Sequence, residues 1–437
     1  MAKCNQLALL PFKGLRQMQE KWRQNKAAEL QEAADSHDMR CFYSGIKAVY
    51  GPKLSGTVPV WSADSSSLLT DRNQILQRWA EHFDSVLNQP SIFDDTVFYE
   101  NPQWTAATHL DDPPTMQEVQ KAVKQLSSGN SPGADCIHAE IFKGGGIKLR
   151  ERLLQHYSNI WENGEIPRDF KDALIIHIYK CKGDRASCDN HRGISLLSVT
   201  GKIIGHIIVN RLSSHVFCQD VIPESQCGFR SGRGTADMIF TARQIQEKCR
   251  EQQVDLYMIS INLTKAFDTV HQNGLWKVLK QIGCTDKFIR IIHVFHEGMM
   301  AQVLDCGILS DQFCVCNGTK QGCVLAPLLF SIYFAMMLLV AFQNCNIGVP
   351  IQFRTDWSVF NLRRPQAQTK VQCQIIRELL FADDCTLLAH TKEEAQELFD
   401  RFSDAAHRWS HGQRKEDGGD AAASQPSALH HTKHKGW

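Results

Sequence analysis

The stretch Leu380-Phe381-Ala382-Asp383-Asp384-Cys385-Thr386-Leu387-Leu388 sets two apolar runs around an acidic pair, the pattern of two strands joined by a tight turn. Adjacent carboxylates on so short a turn repel each other. A shared divalent cation removes that cost, because Mg²⁺ takes hard oxygen ligands and pairs one or two carboxylates with substrate phosphates. A solvated turn accounts for the same residues, since Asp is a common turn former. Backward along the chain lies Tyr257-Met258-Ile259-Ser260-Ile261-Asn262-Leu263-Thr264-Lys265-Ala266-Phe267-Asp268. This apolar strand ends in a polar residue and turns toward a helix, and ligands gather at such carboxyl edges. Between the two, Asn317-Gly318-Thr319-Lys320-Gln321-Gly322-Cys323 forms a glycine-bounded loop that lets backbone approach a substrate.

That loop leads into residues 323–342, twenty residues without a charge and long enough to cross a bilayer. Pro327 and Ser331 interrupt the run, the polar Lys320-Gln321-Gly322 leads into it, and no second span follows. It reads as a buried core helix rather than a membrane span. Further out, Asp111-Asp112-Pro113-Pro114 is a breaker, and residues 115–126 fit a helix with Thr115 as N-cap and Glu118 completing a capping box. Residues 149–162 read as a second helix, and residues 173–179 and 256–263 as strands. Helical and strand-like runs then interleave through Ala389, which predicts an α+β architecture. Residues 10–50 form polar helices, residues 74–87 carry Ile75, Leu76, Trp79, Phe83 and Val86 at helical spacing, and residues 413–437 lack any apolar period and are expected to be disordered.

With 43% hydrophobic and 22% charged residues over 437, the chain is an ordinary globular one, neither collagenous nor wholly disordered. Forty-eight Lys plus Arg against 47 Asp plus Glu leave a formal net charge of +1, so any grip on nucleic acid must come from local patches. The 16 cysteines are scattered with no Cys-x-x-Cys pair, and no long apolar leader opens the chain. A cytoplasmic or nuclear, reducing setting is expected. His177, Cys181, Cys188 and His191 are ligand types for zinc, but their spacing matches no common finger.

The order of the three constellations resembles the reverse transcriptases of non-LTR (LINE-type) retrotransposons. The resemblance extends upstream: Ser131-Pro132-Gly133-Ala134-Asp135 with Ala139-Glu140-Ile141, Tyr179-Lys180 to Gly183-Asp184-Arg185, Asn190-His191-Arg192-Gly193-Ile194-Ser195-Leu196-Leu197, and Gln226-Cys227-Gly228-Phe229-Arg230-Ser231-Gly232-Arg233 look like that family's fingers motifs, in order, over roughly residues 15–408. The resemblance implies a right-hand polymerase with fingers and palm, two Mg²⁺ ions, an RNA template, a DNA primer and deoxynucleoside triphosphates. Carried over by position, Asp383 is the hairpin metal ligand and Asp384 its supporting carboxylate. Phe267 is the aromatic gate against a ribose 2′-hydroxyl, and Gln321 and Gly322 line the nucleotide pocket. Lys180 and Arg192 hold the triphosphate, while Arg230 and Arg233 lie along the template. The implied organisation is a helical N-terminal extension (1–110), fingers (111–250), palm (251–408) and an aberrant tail (409–437), with the thumb largely missing.

Two departures matter. Asn262 stands where the family pattern has the Asp that bridges both metals, and it offers a carbonyl oxygen without charge. Asp268 is no obvious substitute, being roughly 20 Å along a continued strand or about 9 Å along a helix. Polymerisation is therefore expected to be poor or absent, which leaves a non-catalytic RNA-binding or interaction relic as the rival reading. The tail after residue 408 loses the family pattern, while residues 416–424 can be encoded so that a one-nucleotide shift restores it. The chain is thus read as the middle of a larger polyprotein that ends in a frameshift near Trp409. Nothing upstream of residue 15 resembles the endonuclease that precedes this polymerase in the family. The nucleotide sequence tests the frameshift: the shifted frame should continue into family-like sequence, and a frame that does not ends the idea.

Overall fold

The period-2 and period-3.6 apolar patterns of the chain resolve, in a computed structural model, into strands and helices over residues 10–36, 38–50, 58–89, 103–263, 265–320, 322–354, 371–410 and 430–431, the residues the structure describes. The chain divides into two compact units after Val58. The first consists of helices α1 (Leu10–Asp35) and α2 (Met39–Tyr50), which pack on each other.

The second unit begins with the short strands β1 (Val60–Trp61) and β2 (Leu68–Leu69) and continues through α3 (Arg72–Leu87), α4 (Met116–Gln125), α5 (Ala139–Gly144), α6 (Ile147–Asn163), α7 (Arg168–Lys171), β3 (Ala173–Tyr179) and β4 (His191–Leu196). Helices α8 (Val199–Cys218) and α9 (Thr235–Glu251) precede β5 (Tyr257–Asn262), α10 (Gln272–Gln281) and α11 (Asp286–Val294). Next come β6 (Met299–Asp305), β7 (Ile308–Leu309), β8 (Phe313–Val315), α12 (Ala326–Ala341), β9 (Val349–Arg354) and β10 (Val371–Ile376). The last elements are β11 (Glu378–Phe381), β12 (Asp384–Ala389), α13 (Lys392–Ser410) and β13 (His430–His431). One sheet runs β11-β12-β5-β13. Another runs β4-β3-β6-β7, with β3 and β6 parallel and β8 on β6. The α+β expectation is met. Of residues 413–437, expected to be disordered, the structure describes only His430 and His431, which pair with β5 as β13 and so depart from that expectation; the rest lies outside the described residues.

Helix α12 is the axis of the core. It is apolar on nearly every face, as a helix surrounded by protein must be, and Leu329, Phe330, Ile332, Phe334 and Met336 are buried. Pro327 falls in its first turn, where a missing N–H costs nothing. Among the described residues no helix is long and apolar enough to cross a membrane. Trp409, 2% exposed, closes the far end of the core: the Tyr333 hydroxyl donates to its carbonyl at 2.9 Å, and the two rings meet edge-on.

The breaker at 111–114 becomes a fixed entrance to α4. Glu118 Oε2 accepts from the Thr115 N–H at 2.8 Å and Thr115 Oγ1 accepts from the Glu118 N–H at 3.3 Å, the capping box expected from sequence. The same carboxylate accepts a two-pronged grip from Arg211 of α8, Nε to Oε1 at 2.6 Å and Nη2 to Oε2 at 2.8 Å. The guanidinium also donates to the carbonyls of Leu110, Asp112 and Pro113 and lies 4.9 Å from the centre of the Trp161 ring. Removing one partner of a shielded pair strands the other. Arg211→Met should therefore cost about 3 kcal/mol in denaturant unfolding, and Arg211→Lys should recover little of it because a point charge cannot reproduce the planar fork.

Candidate active site

The pairing of β12 with β5 sets Asp384 directly opposite Asn262 at the end of both strands. The amide Nδ2 of Asn262 points at Asp384 Oδ1, 3.4 Å away. On the other side, β11 and β12 close a hairpin whose last pair is Phe381 with Asp384, leaving Ala382 and Asp383 as the turn. Ala382 takes a φ of 55°, the left-handed conformation that tight hairpins require, at a cost of about 1–2 kcal/mol for a residue with a Cβ. Burial, and then the neighbouring negative charge of Asp383, raise the Asp384 carboxyl above its ordinary range. Two carboxylates with hard oxygens fit one divalent cation. The position opposite them carries a neutral amide that already donates toward Asp384, so the third charge needed to bridge a second ion is absent.

The other predicted residues mostly converge on the same place. Asn262, Phe267, Asp383 and Asp384 share a cavity of about 1230 Å³ with Lys180, Arg192 and Gly322. The Phe267 ring rests on Phe330 of α12, 4.5 Å between centroids, and meets Phe229 edge-on at 6.0 Å. Its backbone is held from the loop before α12: the Thr319 N–H donates to the Phe267 carbonyl at 2.7 Å, and the Gly318 N–H to Val270 at 2.9 Å. Gly318 is required there, since its φ is +79° and a Cβ would lie 2.7 Å from the Asp268 carbonyl oxygen. Gln321 lies outside the described residues.

Lys265 joins this site although sequence reading assigned it no role. Its Nζ lies 3.1 Å from Asp189 Oδ1, while Lys180 Nζ donates to the Asp189 carbonyl at 2.9 Å. Burial, then the charges of Lys265 and Arg192, lower the Lys180 ammonium from its usual value. Asp268 lines the same cavity. Burial pushes its carboxyl up to about 6, against the opposing pull of Lys265, Lys180 and Arg192.

Arg230 and Arg233 are not part of the cavity lining. Both pair with Glu224, Arg230 at 2.7 Å, and the Arg230 guanidinium covers the Phe217 ring at 5.2 Å. Of the zinc-type residues, His191 lines the cavity, but each makes other contacts. His177 pairs with Asp305 at 3.2 Å and stacks on Trp79, the His191 Nδ1 is 3.1 Å from the Ser187 carbonyl, and burial pushes the Cys188 thiol up to about 11. Among the described residues, no group of three or more His, Cys, Asp or Glu converges on a metal position.

A carboxylate pair beside a cation cluster suits a divalent ion with a phosphate-bearing ligand, the site class of nucleotidyl transferases. Residues 180–412 match the family described as reverse transcriptase (RNA-dependent DNA polymerase), and the chain belongs to that family as a reverse transcriptase domain of the non-LTR retrotransposon type. It is 27% identical over 305 residues to the RNA-directed DNA polymerase from mobile element jockey of Drosophila melanogaster, covering 68% of this chain and 30% of that protein. It is 24% identical over 390 residues to the retrovirus-related Pol polyprotein from type-2 retrotransposable element R2DM of the same species, covering 87% of this chain and 31% of that protein. To the transposon TX1 uncharacterized 149 kDa protein of Xenopus laevis it is 25% identical over 301 residues, 69% of this chain and 22% of the other. The chain thus spans less than a third of each of these relatives.

The raised Asp268 pKa has a pH signature. Below about pH 4 the carboxyl is protonated whether the chain is folded or not. Between about 4 and 6 the folded state keeps a proton that the unfolded state has released, so the contribution of Asp268 to stability falls as pH rises through that window. Urea midpoints measured from pH 4 to 7 should show a shallower decline for Asp268→Asn than for the unmodified chain.

Proposed function

We propose that this domain is a right-hand polymerase core, with fingers over 111–250 and a palm over 251–408, whose RNA-directed DNA synthesis is crippled by the residue at 262. The helical extension would cover 1–110 and the tail 409–437. The observation that carries the proposal is the pairing of Asn262 with Asp384, amide toward carboxylate. Asp383 and Asp384 would hold Mg²⁺, which when bound supplies a Lewis acid for transfer of the nucleotide to a primer 3′-hydroxyl. A family member uses two such ions; the residues present here suit one.

The remaining residues divide the work of binding. Lys180, Arg192 and Lys265 form a cluster whose mutual repulsion an incoming triphosphate relieves, and a guanidinium fork suits phosphate oxygens. Phe267, propped by Phe330, offers a fixed ring edge against a ribose 2′-hydroxyl and so favours deoxynucleotides. Gly322, with φ +108° and no room for a Cβ beside the Ser195 carbonyl, lines the nucleotide pocket, and the family resemblance gives Gln321, outside the described residues, the same role. Arg230 and Arg233 would reach template phosphates only by sharing or releasing Glu224, which makes template binding weak and salt-sensitive. The neutral amide at 262 also favours a second reading, a domain that binds RNA template, DNA primer or dNTPs without turning them over.

Primer extension separates the two. Asn262→Asp should raise Mg²⁺-dependent DNA synthesis by about 100-fold or more, roughly 3 kcal/mol of barrier, and Asp383→Ala on that background should abolish it. Robust synthesis by the unmodified chain that Asp383→Ala removes would overturn the impairment. No synthesis by Asn262→Asp, with RNA binding retained, would leave the non-catalytic reading.

A further inference from the structure

Residues 225–229, which include the start of the Gln226–Arg233 motif, lie against the hairpin that carries Asp383. The Ser225 carbonyl accepts from the Leu380 N–H at 3.1 Å, and the Cys227 N–H donates to the Leu380 carbonyl at 2.9 Å. These bonds make a short parallel bridge onto β11. Between them the Gln226 side chain, 2% exposed, turns to the hairpin. Its Oε1 accepts from the Ala382 N–H at 2.9 Å and from the Gly228 N–H at 2.8 Å, and its Nε2 donates to the Ala382 carbonyl at 3.2 Å. Gly228 completes the fit, because a Cβ there would collide with the Ala382 backbone nitrogen.

A buried primary amide that meets both polar groups of one peptide residue is a directional clamp, since it has one acceptor end and one donor end and each is matched. Ala382 needs such a clamp. It is the left-handed residue of the turn, it gains no glycine freedom, and its neighbour is the carboxylate that the metal reading depends on. One residue beyond Gly228, Phe229 at φ 57° sets its exposed ring edge-on to Phe267. The same five residues therefore touch the metal turn at one end and the nucleotide gate at the other.

We propose that Gln226 is a positioning residue for the polymerase reaction: its amide holds Ala382 in the left-handed conformation that aims the Asp383 carboxylate into the cavity. The proposal rests on the polymerase reading of the site, and the test keeps the two apart. In the intact unmodified chain, the Ala382 amide should be strongly protected from hydrogen exchange although it sits in a hairpin turn. In Gln226→Met, of similar volume but without hydrogen bonds to the turn, that protection should be lost while the core helices keep theirs.

On the Asn262→Asp background, Gln226→Met should lower kcat in primer extension about tenfold with KM for the nucleotide changed less than twofold. It should also weaken Mn²⁺ binding, titrated by electron paramagnetic resonance, by about tenfold. A merely structural role would move the unfolding midpoint and leave the kcat to KM split and the Mn²⁺ affinity unchanged, and that result overturns the proposal. Fast exchange of Ala382 in the unmodified chain overturns it without any variant, as it would if Gln226→Met failed to fold. If Asn262→Asp itself makes no DNA, the polymerase reading fails and the exchange and Mn²⁺ measurements alone decide the clamp.

Discussion

The register of β12 against β5 is the constraint on which the rest of the site depends. It is set by apolar pairs on the inner face: Cys385 opposite Ile261 and Leu387 opposite Ile259 are all buried. A slip of one strand by one residue would turn its two side chains off that face. With that face fixed, the outer face follows, and Asp384 must stand across from whatever residue occupies 262. The register of the site is decided by apolar packing one and three residues along from it.

Seen this way, Asn262 is a stabilising residue as well as a loss. Like charges directly opposite on neighbouring strands are destabilising, and Asp384 already has Asp383 beside it, with its own carboxyl raised above the ordinary range. A carboxylate at 262 would place a third negative charge on one edge, tolerable only when cations neutralise it. The amide removes one charge and donates to another. On the proposed reading, a carboxylate at 262 would store electrostatic strain that bound cations relieve, and the amide avoids part of it. What remains strained is the turn, where Ala382 keeps its left-handed conformation with the help of Gln226.

Features governed by neighbours in sequence were legible without a structure. The acidic hairpin, the capping box at Thr115 and Glu118, and the burial of the uncharged helix after Gly322 all follow from local pattern, and each is present. What the pattern did not carry were choices of partner across long sequence distances. Glu224 is a nearer case: only nine residues before Arg233, it pairs with both Arg230 and Arg233, residue types that otherwise suit phosphate. Gln226 sits in a polar, glycine-containing run that reads as a loop, and its target is more than 150 residues away. Lys265 was passed over because a lysine after a strand is ordinarily solvated, and only the fold brings Asp189, Lys180 and Arg192 around it. Asp268 was weighed as a metal ligand by distance along the chain; the structure sets it among the cations instead, on the wall of the cavity.

The same distinction explains how a chain with a formal net charge of +1 can present a phosphate site. Long-range attraction scales with net charge and is screened within about 10 Å at moderate salt, so this domain gains little from steering. Its cations act at short range. Lys180, Lys265 and Arg192 line one cavity with Asp268, and Asp189 pairs with Lys265; neither carboxylate cancels the cluster, since Asp189 engages one cation of the three and burial disfavours the charged form of Asp268. On the proposed reading, a triphosphate entering there would exchange weak internal pairing for stronger charge-assisted bonds, although Lys180 and Arg192 are themselves exposed. Arg230 and Arg233 share one carboxylate, that of exposed Glu224, which offsets only one of their two charges, and pairs with so exposed a partner contribute little and fade with salt. Both the proposed nucleotide grip and the proposed template grip should therefore weaken as ionic strength rises, because Lys180, Arg192 and Arg233 are all exposed, a consequence of where the charges sit rather than of how many there are.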